Sequence, residues 1–331
     1  MAATRAPWID VHAHPGRCFL AGLDETDPLA GLLGEQDVVA VLAAARSAGM
    51  AAVTLSTVAD LRVLAPDPVR GLRAARSFRP GEAYADHRRQ LDGIASVLLA
   101  SGADVAVTAA DIESAHAEGR LAVMVSCEGA DFLEGRLEPL AEARATGASS
   151  LTLVHYRVNE IGDVQTEDPV HGGLTAFGRQ VVAECNRLGM IVDCAHASLE
   201  TTIDVLGLSR DPVMLSHSHL DHGERQHPRL LSADHARAVA SAGGLIGAWP
   251  SGVTSTSLGD FADEVVRLTD LVGADHVAIG TDMDANYRPV LRTYADFATL
   301  PQLLANRGVS DAETDMILGA NALNLLRKVA G

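Results

Sequence analysis

The run Ile9-Asp10-Val11-His12-Ala13-His14 reads as an apolar-rich strand ending in two histidines. Side chains on a strand alternate with period two, so both imidazoles should face the same side. Four later runs repeat this grammar of an apolar β segment closing on a potential metal ligand: Leu121–Glu128, Ser150–His155, Met190–His196 and Val213–His217. A fifth, Val277–Asp282, closes on a carboxylate. Imidazole and carboxylate are the usual donors to catalytic zinc. Two ions ~3.5–4 Å apart need a bridging carboxylate and can share an activated water. Glu128 is the natural bridge, with Gly129 behind it to permit close approach. His12 and His14 would then hold one metal, and His196 and His217 the other.

Lys328, in the expected terminal helix, is the only lysine. No lysine is therefore available in the core for a Schiff base or a bridging carbamate, and an ordinary carboxylate must bridge any two-metal site.

The elements that deliver these residues follow from the alternation of patterns. Asp37–Ala48 reads as a helix stopped by Gly49, followed by a buried strand at Ala51–Ser56. Glu82–Ala100 is a second helix, Asp104–Thr108 a short extra strand, and Ile112–Glu118 a short helix. From Arg120 onward strand and helix alternate, as in a parallel sheet built from βαβ units. Helices are expected near Glu138–Thr146, Thr175–Leu188, Leu199–Gly207, Ser232–Ala242, Phe261–Leu271 and Asp311–Val329. Gly244–Trp249 completes eight principal strands, and a long excursion runs from Asn159 to Gly173 after the fourth. No internal repeat or linker divides the chain. The expectation is one α/β domain over residues 1–331, a single (β/α)8 TIM barrel with its metal site at the C-terminal ends of the strands, where βα loops form the pocket.

Composition agrees. The chain has 331 residues, 47% of them hydrophobic, which is ample for such a core. Its formal charge of −17 argues against nucleic-acid or anionic-membrane partners and otherwise serves solubility. There is no signal-like apolar stretch and no run of ~18 apolar residues, so neither export nor a membrane span is expected. Cys18, Cys127, Cys185 and Cys194 show no CxxC spacing, and a reduced cytoplasm is the default. Between Leu61 and Pro80 stand Arg62, Arg70, Arg73, Arg76 and Arg79 with Asp67 as the single acid. This cluster reads as a solvated or inter-subunit loop, or as a lid for anionic substrate.

These motifs, in order, resemble the membrane (renal) dipeptidase family of zinc peptidases, within the amidohydrolase-like barrels. The resemblance covers nearly the whole chain. It is carried by His12, Cys127-Glu128-Gly129, Leu151–His155 with Asn159, Gly173–Gly178, Asn186–Asp193 leading to His196, Leu215–Ser218, His227-Pro228-Arg229, Gly280–Asp284 and Ile317–Asn321. It implies two Zn2+ ions bridged by Glu128 and a hydroxide, with His12 on the first and His196 and His217 on the second. It implies that His155 steadies the oxyanion, that Arg229 receives the substrate's terminal carboxylate, and that Asp282 is the acid/base beside the hydroxide. It further implies L-Xaa-D-Xaa dipeptides as substrates and a homodimer. Alternatives are N-acyl amino acids, lactams or esters as substrates, or a metal-binding protein without catalysis, against which Asp282, His155 and Arg229 argue.

One position departs from the pattern: the family has His-x-Asp where this chain has His12-Ala13-His14. The first metal then carries one negative charge fewer. Either the bridging water becomes more acidic and the site more receptive to anionic or electron-rich substrates, or the first metal is held more weakly. Trp249 walls the pocket or belongs to the core. His219, His222 and His227 are polar loop residues or a supplement to the first metal. Asp193, Asp284 and Asn321 are read as structural, and Cys127 is not a nucleophile.

Overall fold

The computed structural model describes residues 6–29, 37–69, 71–223 and 227–331. Eight parallel strands follow one another around the sheet: β1 (Trp8–Asp10), β2 (Met50–Val58), β3 (Ala122–Glu128), β4 (Ala148–Thr152), β5 (Ile191–Asp193), β6 (Met214–Leu220), β7 (Leu245–Ala248) and β8 (Val277–Ile279). The Val11 N–H donates to the Ile279 carbonyl at 3.0 Å, bringing β8 back to β1. The result is a (β/α)8 barrel. As expected, Asp104–Val105 adds a short parallel strand beside β3.

Period two decides which side each strand residue faces. Leu55, Val123, Val125, Leu151, Leu215, Val277 and Ile279 belong to the larger apolar cluster, which includes the surrounding helices. Their neighbours Ala52, Met124, Ile191, Met214, Leu245 and Ala278 join a second cluster with Leu323, Leu325 and Leu326 of the terminal helix. That helix (Asn321–Ala330) therefore packs against residues near the strand starts, opposite the end where the ligands gather.

The helices start where the sequence offers side-chain caps, each worth about 1 kcal/mol. Val38–Ser47 is capped by Asp37, Ala176–Leu188 by Thr175, Leu199–Leu206 by Ser198 and Ala233–Ser241 by Ser232. Thr108 and Asp111 form a reciprocal capping box, which starts the next helix at Ala109, three residues before the expected Ile112. Ser257 likewise starts Leu258–Val272 before the expected Phe261.

Two expectations need correction. The single helix over Asp311–Val329 is broken: Asp311–Asp315 and Asn321–Ala330 are joined by a wide turn at Met316–Ala320. Gly319 lies against the start of β1, where an added Cβ would stand 1.7 Å from the Pro7 carbonyl. The close approach of the chain to the barrel sets the break. Second, Leu61–Pro80 is not simply a loop. It contains an antiparallel hairpin, Leu64–Asp67 with Gly71–Ala74. Its arginines are largely internally paired, Arg62 with Asp27 and Asp86, Arg73 with Asp67, and Arg76 with Glu82. Arg70 lies outside the described residues.

His87, on the helix Glu82–Ser101, is fully buried and stacked on Phe132 with ring centroids 3.6 Å apart. Burial pushes its pKa down to about 3, against an ordinary 6.5. The unfolded chain therefore takes up a proton at His87 that the folded chain refuses. Stability from this group is intact above pH ~6.5 and falls toward pH 3 by up to about 1.4 kcal/mol per pH unit. A His87→Leu variant should show a shallower loss of denaturation midpoint over that window; an acid limb identical to the wild type's would refute the assignment.

Candidate metal centre

At the mouth of the barrel, Glu128 ends β3 as a fully buried carboxylate ringed by imidazoles. Its Oε1 lies 3.3 Å from His12 Nε2, 3.4 Å from His196 Nε2 and 3.6 Å from His217 Nε2. Its Oε2 lies 3.3 Å from His14 Nε2 and 3.6 Å from His155 Nε2. An added Cβ at Gly129, whose φ is +86°, would stand 3.1 Å from Ala59 and 3.5 Å from the His155 Cβ, so the chain behind Glu128 leaves little room for a side chain.

The structure brings all five expected ligands together, although the strand register that predicted them is only partly kept. His12 and His14 lie beyond the end of β1, and His196 lies three residues beyond β5. Backbone bonds hold these extensions: His14 N–H to the Met283 carbonyl, Asp282 N–H to the His12 carbonyl, and Gln165 N–H to the His196 carbonyl. The long excursion after β4 thus crosses the mouth and pins His196. His196 (φ 67°) and Asp282 (φ 51°) both adopt the left-handed region, at a cost of roughly 1–2 kcal/mol each for a residue with a Cβ.

A metal fits this donor set. Two ligands ~2.0–2.1 Å from one zinc at a tetrahedral angle stand ~3.3 Å apart, which matches the separations around Glu128. His196 Nε2 and His217 Nε2 point at each other across 3.0 Å. The buried His12 Nε2 points at Glu128 Oε1 from 3.3 Å. Burial holds His196 and His217 well below the ordinary imidazole range, so both are neutral and able to ligate. Burial opposes protonation of His14 too, but contacts with Cys18, Glu128 and Asp282 outweigh it and raise its pKa well above the ordinary value. A cation at this position would displace that proton.

The other expected residues also converge. Asp282 Oδ1 lies 3.4 Å from His14 Nε2, and its Oδ2 accepts a 3.2 Å bond from the Trp249 indole. Burial, joined by the charge of Glu128, lifts the Asp282 pKa to about 6 against the pull of His14 and His12. His155 Nδ1 pairs with Asp60 Oδ1 at 2.6 Å. Burial disfavours its charge, but Asp60 and Glu128 lift its pKa to about 9, making it a cation at neutral pH. Arg229 is 1% exposed and stacks over Trp249 at 5.4 Å. It donates to Gln165 Oε1 and, at 3.5 Å, to the His217 carbonyl, while its Nε has no partner. Among the described residues no carboxylate pairs with this buried guanidinium.

Sequence reasoning missed Asp60, Tyr156 and Asp10. Asp60 follows β2 by two residues and obeys the same grammar of strand then ligand-type residue, so it was findable. Tyr156 sits edge-on to His155 and His196 at 4.7 and 5.0 Å. Asp10 accepts from the Thr281 N–H and hydroxyl and from Tyr294, tying β1 to the end of β8. Asp193 does the same for β4, β5 and β6 through Thr152, Ala195 and Ser216. Asp284 accepts from Gly16 N–H, and Asn321 donates to the Ala274 and Val277 carbonyls, in keeping with structural roles. The Cys127 thiol, pushed up to about 12 by burial, is no nucleophile.

A histidine–carboxylate cluster at the C-terminal mouth of a (β/α)8 barrel defines a metal-dependent class of barrel proteins. The family model described as membrane dipeptidase (peptidase family M19) matches residues 4–331, and the chain belongs to that family. Dipeptidase aclJ of Aspergillus oryzae is 33% identical over 65% of this chain and 53% of its own length, and dipeptidase verJ of Clonostachys rogersoniana 31% identical over 68% and 60%. The chain thus spans between half and two thirds of the length of these curated relatives. The fold is shared with a metallo peptidase of Rhodobacter sphaeroides liganded with a phosphinate mimic of the dipeptide L-Ala-D-Ala. That match has a TM-score of 0.80 at 21% identity and covers 98% of this chain and 99% of the other. It is also shared with the probable dipeptidase PvdM of Pseudomonas aeruginosa, with a TM-score of 0.79 at 19% identity, covering 98% and 96%.

Glu128→Gln keeps the shape of the side chain but removes the charge between the two histidine pairs. Its metal affinity, measured by competition with a chromophoric chelator, should fall by at least about 10–100-fold. Unchanged affinity would remove Glu128 from the ligand set.

Proposed function

We propose that the protein is a binuclear zinc dipeptidase that hydrolyses small dipeptides, L-Xaa-D-Xaa foremost. The observation that carries the reading is Arg229, a buried cation unmatched by any described carboxylate, beside the histidine–glutamate cluster. A buried charge without a counter-ion is costly, and an incoming anion relieves that cost. The C-terminal carboxylate of a dipeptide is such an anion, and a guanidinium can accept it bidentately. The L-Ala-D-Ala mimic bound by the Rhodobacter relative supports the choice of stereochemistry.

His12 and His14 would hold one zinc and His196 and His217 the other, with Glu128 between them. When bound, the ions would polarise the scissile carbonyl and supply a water acidic enough to attack at neutral pH. The chain's own residues do the rest. Arg229 fixes the carboxylate end, so the peptide carbonyl is presented toward the cluster. His155, held as a cation by Asp60, donates from Nε2 to the oxygen that gains charge. Asp282, oriented by the Trp249 indole, takes the proton of the attacking water and passes it to the departing amine. Trp249, stacked on the Arg229 guanidinium, and Tyr156, edge-on to His155 and His196, shield these groups from water. Buried, unlinked thiols at Cys18, Cys127, Cys185 and Cys194 support a cytoplasmic setting, and the reading includes a homodimer. Among the described residues no helix is long and apolar enough to cross a membrane.

Initial rates on L,L and L,D dipeptides, with N-acetylated and C-amidated versions and with and without chelator, test the reading. Chelator-sensitive cleavage of free dipeptides is expected, with C-amidation reducing kcat/KM by 100-fold or more. Arg229→Met should lose a similar factor, mostly in KM. Silence on every free dipeptide with metal bound would sink the dipeptidase reading.

His14 gives a further test. His14→Asp restores a negative ligand beside Glu128, and the weaker of the two metal-binding steps should tighten by ten-fold or more in a calorimetric titration. An unchanged binding curve would show that His14 does not ligate.

A further inference from the structure

β6 runs on past His217 to Leu220, and His222 stands two residues beyond its end. On the helix Leu258–Val272, Glu264 is 1% exposed, on the same buried face as Phe261, Val265 and Leu268. Neither His219, His222 nor Glu264 belongs to the cluster at the barrel mouth. Glu264 Oε1 lies 3.3 Å from His219 Nδ1, and its Oε2 lies 3.2 Å from His222 Nε2. The two rings stack at 5.3 Å, tilted by 29°. One ligand atom from each of the three residues lies within 4.8 Å of the others, and the group shares no member with the cluster around Glu128.

We infer that His219, His222 and Glu264 form a third, separate site for a divalent transition metal, zinc foremost. The separations of 3.2 and 3.3 Å are those of ligands on one ion. Two imidazoles and a carboxylate form a borderline donor set that suits zinc, cobalt or nickel better than magnesium or calcium. His222 is about a third exposed while its partners are buried, so an ion can enter from that side and retain a water as its fourth ligand. An ion would share Glu264 with the groups already around it. The Leu220 N–H donates to Oε1 at 2.6 Å, and Arg267 stands 3.4 Å from Oε2. On His219, Nε2 faces Ser255 and Thr254, while Nδ1 stands 3.1 Å from the Leu220 carbonyl and 3.1 Å from the Thr254 hydroxyl, so an ion would take the place of the Nδ1 proton. An ion here would fasten the end of β6, which carries His217, to the helix Leu258–Val272.

The test is a count of metal equivalents. The full-length protein is stripped with chelator and titrated with Co2+, followed by d–d absorption, and with Zn2+, followed by calorimetry. His222→Ala, at the exposed ligand, is compared with the wild type, and Glu264→Gln is a second variant whose folding is checked by circular dichroism. The wild type should take up one equivalent more than His222→Ala, and Glu128→Gln should retain that equivalent. Equal stoichiometry in wild type and His222→Ala, both fully folded, overturns the inference. The readout is a difference of one equivalent, so it stands whatever number of ions the cluster around Glu128 holds and whether or not the protein cleaves dipeptides.

Discussion

The structure turns on one electrostatic constraint: the Glu128 carboxylate is sealed from water at the centre of the barrel mouth. A lone buried carboxylate would cost many kcal/mol or take up a proton. Here, burial notwithstanding, the charges of His155 and His12 and bonds from His12 and His14 hold its pKa well below the ordinary range. Among the described residues no lysine or arginine pairs with it; five imidazoles stand within 4 Å. Imidazoles can give up protons to make room for metal, where guanidinium groups could not. A pocket of this composition can exchange protons for a metal ion, and the chemistry proposed for it rests on that exchange.

A second set of carboxylates makes this geometry rigid. Asp10 joins β1 to the segment after β8, and Asp193 joins three neighbouring strands. Each sits just below a ligand, two residues before His12 and three before His196. Burial raises the Asp10 pKa to about 6 despite its bonds to Thr281. Asp163 plays the same part in the long excursion, accepting from Val170, His171 and Gly173 and so shaping the segment that reaches His196 and Arg229. The ligands can stand on loops because the loops are anchored by buried hydrogen bonds on either side.

Much of this was legible in the sequence. The strand-then-ligand grammar located Glu128, His155, His196, His217 and Asp282, and the alternation of strand and helix after Arg120 defined the barrel. Most helix starts read from the pattern fall within a few positions of the capped starts observed. What escaped has a common physical cause. Asp60 obeyed the grammar and was passed over, but Tyr156 and Glu264 meet their partners across 40 and 42 residues, in the pairs Tyr156–His196 and Glu264–His222. No local period signals such pairings. Glu264 in particular looked like one acid among many on an amphipathic helix, and only the barrel's curvature brings it to the end of β6. The break before the terminal helix was hidden for a similar reason, because Gly319 answers to Pro7 at the other end of the chain.

The left-handed backbone at His196 and Asp282 has a consequence for how this site persists. Glycine would relax both positions, so the fold as a fold would prefer to lose these side chains. Among the described residues six without a glycine's freedom take a positive φ, and of these His196 and Asp282 stand in or beside the ring around Glu128, where the turn in the chain aims each side chain inward.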